Sequence, residues 1–414
     1  MKVLHINQAD TAGGAAIAGY RLHQQLLAQG VNSRLLVGMA KTLSDRVAAI
    51  PRQPRLESVL LRLSWHLGLN YTNIVSSFNI PHHAFYQDAN ILNFHNLHGG
   101  YFNYLAIPAL TQKPAVITLH DMWSFTGHCA YSYDCSRWQT GCGRCPYPKT
   151  YPEIKVDRTH REWQLKDWVY RRSRLTVITP SAWLAAQARQ SILQRFPIHH
   201  VPNGIDTQIF APLNKHQCRT LLGITAERKV LMFSAHSLKD SRKGGDLLLK
   251  TLSRLPDSVK QEAVLLTLGD GGEAIAGAVG LPTINLGYVS GDRLKAIAYS
   301  AADLFIFPTR ADNLPLVLQE SMACGTPMVS FKLGGVPELV RPGITGYLAQ
   351  PEDDQDLARG IVQLLADEAL QQMSQNCRAI ALAEYSLELQ AQRYRELYNQ
   401  TLKQFQTSAD PTSS

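Results

Sequence analysis

Short runs rich in Val, Ile, Leu and Phe recur along the chain, and in the stretches between them apolar positions return every three or four residues. The runs predict buried strands and the stretches amphipathic helices, the alternation that a parallel α/β sheet requires. In the first half the runs are KVLHIN, SRLLVG, ILNFHN, AVITLHD and LTVITPS. A second series starts at Lys229 with KVLMFSA and continues through AVLLTLGD, TINLGYV, LFIFPTR and MVSFKLGG. A pattern that starts twice predicts two doubly wound Rossmann-like domains, residues 1–204 and 205–385, facing across a cleft. They are joined through FPIHHVPNGIDTQIFAP, where prolines and an Asn-Gly pair punctuate the chain. A closing helix over 386–405 and a disordered tail over 406–414 complete the expected layout.

Composition agrees with this layout. At 414 residues the chain is too long for one ordinary core, and 45% apolar with 18% charged residues is a globular balance. No run reaches the roughly 18 apolar residues that span a bilayer. The opening MKVLHINQ alternates like a strand and lacks the apolar stretch of a signal peptide, so a cytoplasmic location is expected. The net charge of +8 favours anionic partners. Much of it lies in PRQPRLESVLLRLSWHLG from Pro51 and RTHREWQLKDWVYRRSRL from Arg158. Each predicts a helix with an apolar face and a basic flank, either an ordinary surface helix or a peripheral contact with the acidic inner face of the plasma membrane. No nucleic-acid-binding motif accompanies the charge, so nucleic acid is not an expected partner.

Open parallel sheets bind ligands beyond the carboxyl ends of their strands, which directs attention to the strand-to-helix loops. In TRADNLPLVLQESMACGTP, Asp312 or Asn313 is placed to cap a helix, with Pro315 in its first turn. The N–H groups of such a turn seat a phosphate. Glu320, deeper in the helix, can accept hydrogen bonds from ribose hydroxyls; the plainer reading leaves Asp312 as a cap and Glu320 as a loop support. In SAHSLKDSRKGGDLLLKTL, Arg242 and Lys243 precede two glycines at a strand-to-helix junction, suited to a diphosphate or to a solvated loop. In NQADTAGGAAIAGYRL, Gly13 and Gly14 let a ligand reach a helix N-terminus, yet G-x-G-x-x-G is missing, which counts against a dinucleotide-dependent oxidoreductase. His120 ends AVITLH at the same kind of edge, where it can bond a hydroxyl, move a proton or serve structure alone. Finally, GHCAYSYDCSRWQTGCGRCP packs Cys129, Cys135, Cys142 and Cys145 beside His128. That density predicts a closed structural zinc site, with plain thiols or a redox pair as the alternative. Cys218, Cys324 and Cys377 are isolated and expected in the core.

Together these residues resemble the retaining GT-B glycosyltransferases of family 4, also called glycosyl transferases group 1. The likeness rests on Asp312 and Glu320 ahead of MACGTPMV, on GGVPELVRPGITGYL, and on VPNGID before the second domain. It implies an enzyme of class EC 2.4 that moves a sugar from a nucleotide-diphosphate sugar to a glycan or lipid-linked acceptor; the quoted motifs have no Asp-x-Asp pair at a strand end to hold a divalent ion, so no catalytic metal is expected. It implies that Glu320 holds the ribose and that Asp312 stands near the transferred sugar, with Asn313 and Leu314 beside it. It implies further that Lys243 and Arg242 meet the diphosphate with Gly13 and Gly14, that His120 lies by the reacting face, and that Gly287, Tyr288 and Val289 line the base pocket. Asp312 replaces the family's usual Glu, and Leu314-Pro315 replaces its Phe-Gly, variants similar to an exopolysaccharide-synthesis subset. A catalytically silent sugar-nucleotide sensor of the same fold is the competing expectation.

Overall fold

The computed structural model describes residues 1–237, 240–271, 280–366 and 368–409. Leu238 and Lys239, in the polar loop before Arg242, and the expected disordered tail beyond residue 409 lie outside the described residues. The chain divides into two compact units: Met1–Pro202 together with the segment from Glu388, and Asn203–Leu387.

Among the described residues, the first unit holds a parallel sheet of β1 (Lys2–Ala9), β2 (Asn32–Met39), β3 (Val47–Ala49), β4 (Ile91–Phe94), β5 (Ala115–Thr118), β6 (Thr176–Thr179) and β7 (Ile198–His200). Their order is β3-β2-β1-β4-β5-β6-β7. The second unit holds β8 (Lys229–Ser237), β9 (Ala263–Asp270), β10 (Thr283–Asn285), β11 (Leu304–Phe307), β12 (Met328–Phe331) and β13 (Gly346–Ala349), ordered β10-β9-β8-β11-β12-β13. Each order reverses direction once, between β1 and β4 and between β8 and β11. Loops leave a sheet on opposite faces at such a reversal, and the crevice between them is where doubly wound sheets bind ligands.

Strand alternation builds the cores. In the first unit Leu4, Ile6, Leu92, Phe94 and Ile117 enter one core with Tyr104, Trp123 and Leu184. Val3, Ile91, Val116 and Ile178 face the other way, against Leu22 and Leu26 of the Gly14–Ala28 helix. Ala391, Tyr394, Leu397 and Tyr398 of the final helix, Leu387–Ala409, complete that second core. Asn93 Nδ2 donates to the Tyr398 hydroxyl at 2.8 Å, and the Thr118 and Tyr394 hydroxyls lie 3.2 Å apart. On this face the strands turn from apolar at their amino ends to His and Asn at their carboxyl ends, so the sheet itself grades from core to site.

Several expectations change. The strands β3, β7 and β13 carry no strong apolar run, and β7 opens the segment that reads as a linker; pairing with a longer neighbour supplies what propensity does not. The final helix continues through Ala409, where Thr407 Oγ1 donates to the carbonyls of Lys403 and Gln404. The second basic segment forms the Thr159–Tyr170 helix, whose inner face buries Glu162 and Lys166 beside the apolar Val169 and Tyr170. Lys166 Nζ donates to the carbonyls of Trp123 and Thr126 at 2.6 and 2.9 Å and sits 3.6 Å above the Trp123 ring. Glu162 accepts from the Tyr104 hydroxyl at 2.8 Å. The first basic segment forms the Pro54–Leu67 helix with Leu56, Val59, Leu61, Leu63 and Leu67 exposed. Among the described residues no helix is long and apolar enough to cross a membrane.

Candidate active site

In the second unit the loops after β8 and β11 lie together at the sheet's reversal point. A short 3-10 turn, Ser241–Lys243, follows β8, with Asp240 Oδ1 accepting from Arg242 N–H at 3.0 Å. Gly244 then takes a left-handed φ of 71°, and a Cβ there would fall 1.8 Å from the Pro308 carbonyl oxygen, so only glycine lets the two loops approach. The loops are stitched: Arg310 N–H and Thr309 Oγ1 donate to the Arg242 carbonyl at 2.8 and 3.1 Å. Arg310 also forks onto Asp246 at 2.8 and 2.7 Å.

This stitching brings Lys243 Nζ to 2.5 Å and Arg242 Nη1 to 3.2 Å from Asp312 Oδ2. Burial pushes the Asp312 carboxyl upward, but Lys243 and Arg242 outweigh it and hold the group below its ordinary value. The Lys243 ammonium is lowered, by burial first, with Asp312 opposing the change and Arg242 reinforcing it. Asp312 is therefore an ion-pair partner and not the expected helix cap. The helix Leu316–Ala323 has Pro315 at its N-cap and no capping side chain. Asn313 is buried and donates its N–H to Asp312 Oδ1 at 3.2 Å, and Leu314 packs into the core. Glu320 is buried in the same helix, 3.3 Å from the Tyr299 hydroxyl, which donates to it. Gly334 of the GGVPEL segment takes φ 53°, and a Cβ there would lie 2.1 Å from the Asp312 carbonyl oxygen. Gly287, after β10, has φ 63° and donates its N–H to Asn285 Oδ1 at 3.1 Å; Tyr288 is exposed and Val289 packs on the core.

In the first unit Gly13 is the N-cap of the Gly14–Ala28 helix, with φ 92°, and open space surrounds the Cβ positions of both glycines. Asp10, which the motif reading passed over, fixes this loop. Its carboxylate accepts the N–H groups of Thr11, Lys41 and Thr42 at 2.7, 2.8 and 2.6 Å. His120 follows β5 and is bonded through Nε2 to His95 Nδ1 at 3.0 Å. Its neighbour Asp121 pairs with His98 Nε2 at 2.8 Å and accepts Trp123 N–H at 2.8 Å. The sequence signal for His95 and His98, which motif reading missed, was the run NFHNLH at a strand end, which reads as chemistry once the strand order is known.

Residues 228–367 match the family model for glycosyl transferases group 1, and residues 12–209 match that for glycosyltransferase family 4. The chain belongs to this family of glycosyltransferases. A protein of Escherichia coli K12 carrying the name colanic acid biosynthesis glycosyl transferase WcaC is 26% identical over 96% of this chain and 100% of that one. The sucrose-phosphate synthase of Thermosynechococcus elongatus superposes with a TM-score of 0.71 at 19% identity, covering 97% of this chain and 100% of its own. Anabaena HepE in complex with UDP-glucose gives 0.64 at 18%, again over 97% and 100%. These neighbours establish the GT-B fold.

The glycosyltransferase does not form the expected zinc site: among the described residues no group of three or more His, Cys, Asp or Glu is arranged to hold a metal. Two of the thiols bond to other groups. Cys142 Sγ accepts the Gly127 N–H at 3.2 Å, and Cys145 Sγ lies 3.1 Å from His128 Nε2, whose Nδ1 is 2.8 Å from the Pro152 carbonyl. Burial pushes the Cys129 thiol up to about 12 and the Cys142 thiol up to about 11. Cys129 and Cys135, on the same loop, are half-buried. Cys218, Cys324 and Cys377 are buried.

Proposed function

We propose that this glycosyltransferase moves a sugar, with retention of anomeric configuration, from a nucleoside diphosphate sugar to a hydroxyl of a growing polysaccharide or lipid-linked glycan. The observation that carries the reading is the convergence of Lys243 and Arg242 on one carboxylate at the reversal point of the second sheet. Asp240 also pairs with Arg242, at 3.3 Å, so two acids hold the two cations in place at the strand ends, where doubly wound sheets bind their ligands.

The chemical difficulty is the charge that grows on the departing diphosphate. A preorganised donor aimed at such charge is worth about 2.7–4 kcal/mol, against about 0.3–2 for a helix dipole. Lys243 and Arg242 thus dominate, and no catalytic metal is needed to supply positive charge. Asp312 holds both cations in place and accepts hydrogen bonds from the transferred sugar. Glu320 grips the ribose, Gly287, Tyr288 and Val289 flank the base, and Gly13 and Gly14 offer backbone N–H groups to phosphate oxygens. Support for the donor class comes from HepE, described in complex with UDP and with UDP-glucose. Support for the product class comes from the colanic acid name of the full-length relative. The exposed leucines of the Pro54–Leu67 helix, interleaved with exposed Arg55 and Arg62, give the first unit a peripheral seat on an acidic bilayer.

A thermal-shift screen of nucleotide sugars should single out one donor, with stabilisation of about 2.7 kcal/mol at 100 times its dissociation constant. With that donor, Lys243→Ala should lower turnover by about 100- to 1000-fold. Unchanged turnover would remove Lys243 from the reaction.

A further inference from the structure

His5 on β1, His95 just past β4 and His120 just past β5 stand beside one another on three neighbouring strands. His5 Nδ1 lies 2.9 Å from His95 Nε2, and His95 Nδ1 lies 3.0 Å from His120 Nε2. The rings stack, with centroids 5.2 and 5.3 Å apart. Gly19 of the Gly14–Ala28 helix closes over the middle of this ladder. A Cβ there would fall 2.9 Å from Asn7 Nδ2 and 3.6 Å from His95 ring atoms.

All three imidazoles are held neutral. Burial, with His23 adding to it, lowers His5 to about 3. Burial and the two flanking histidines hold His95 well below its ordinary value. Burial lowers His120 to about 4, Asp121 opposing and His98 reinforcing the change. His23 is itself lowered to about 4, by burial and by Arg46.

A neutral imidazole has one N–H and one lone pair. Three rings joined nitrogen to nitrogen therefore have two self-consistent proton arrangements, one running inward and one outward. The inward arrangement would end in an N–H at His5 Nε2, and that atom is buried without a hydrogen-bond partner. Orphaned buried N–H groups are rarer than under-satisfied acceptors, so the outward arrangement is the stable one. His5 Nδ1–H then donates to His95 Nε2, and His95 Nδ1–H donates to His120 Nε2.

We propose that His5 and His95 are positioning residues that lock His120 as an uncharged Nδ1–H donor, matched to an oxygen of a sugar hydroxyl, and prevent it from acting as a proton acceptor. The proposal rests on the expectation, from the family resemblance, that His120 lies by the reacting face of the transferred sugar. With its Nε2 lone pair occupied by His95 and its single proton on Nδ1, His120 has no site left for a base to use.

The test is the tautomer itself, read by long-range 1H–15N NMR of the whole protein labelled with 15N-histidine, with the His120 signals assigned by their loss in His120→Asn. The expected result is a protonated Nδ1, an unprotonated Nε2 and no titration between about pH 6 and 8. A proton on Nε2, or titration in that interval, overturns the proposal. In His95→Leu, checked by melting to be folded, the His120 Nε2 lone pair loses its donor, so the spectrum should show a population protonated on Nε2. A His120 tautomer unchanged in that variant also overturns the proposal. The spectrum needs no turnover, so a protein inactive with every nucleotide sugar would end the transferase mechanism while the relay stayed measurable; if His95→Leu does not fold, the wild-type spectrum decides.

Discussion

One carboxylate, that of Asp312, joins Lys243 to Arg242. Asp312 is buried, and Lys243 and Arg242, helped by the Asn313 N–H, favour its ionised form there. Removing one partner of a buried pair leaves the other uncompensated, so Asp312→Asn should cost about 3–5 kcal/mol near pH 7, measured by urea unfolding. Since the folded-state pKa of Asp312 lies below the ordinary 3.8, its contribution is complete above that pH and is lost as pH falls through the lower folded value. The gap between wild type and Asp312→Asn should close only below about pH 4; a gap already closing at pH 6 would assign it to another group. Spacing alone revealed Asp312 and Glu320 as notable acids. It also suggested a helix cap at Asp312, because local sequence does not reveal that Lys243, distant along the chain, claims that carboxylate.

Among the elements, legibility followed burial on both faces. Strands such as β5, β6, β11 and β12 are wholly buried and read directly from their apolar runs. Edge strands β3 and β7 are three residues each and announce themselves only through a neighbour's hydrogen bonds. The two basic helices looked alike in sequence yet parted in the fold. Thr159–Tyr170 turns Lys166 and Glu162 inward, whereas Pro54–Leu67 keeps its leucines outside. Vesicles containing anionic lipid should therefore sediment the wild-type protein at low salt. Val59→Glu combined with Leu63→Glu should lose at least tenfold in binding, as two buried side chains at about 1.5–3 kcal/mol each imply. Equal sedimentation of both proteins would return this helix to the role of an ordinary surface helix.

At the scale of the whole chain, the first unit is not continuous in sequence. Its second core is completed by the Leu387–Ala409 helix, which contributes Ala391, Tyr394, Leu397 and Tyr398. Burying those three large side chains is worth about 1.5–3 kcal/mol each, comparable with the 5–15 kcal/mol that stabilises a whole domain. Residues 1–202 expressed alone should thus be insoluble or lack a cooperative melt by circular dichroism, and fusing residues 387–409 to them should restore one. A cooperative melt of 1–202 without the helix would show that this closure is dispensable. The sequence by itself determined the repeated strand spacing, the doubly wound class and the glycosyltransferase family, because periodicity and short motifs are local properties of the chain. Only the tertiary structure decided which groups meet: His5 with His95 and His95 with His120, Lys243 with Asp312, and Cys145 with His128. Alternation fixes the face on which a side chain emerges, but the order of strands across a sheet fixes its neighbours, and that order is set by the packing of the whole unit.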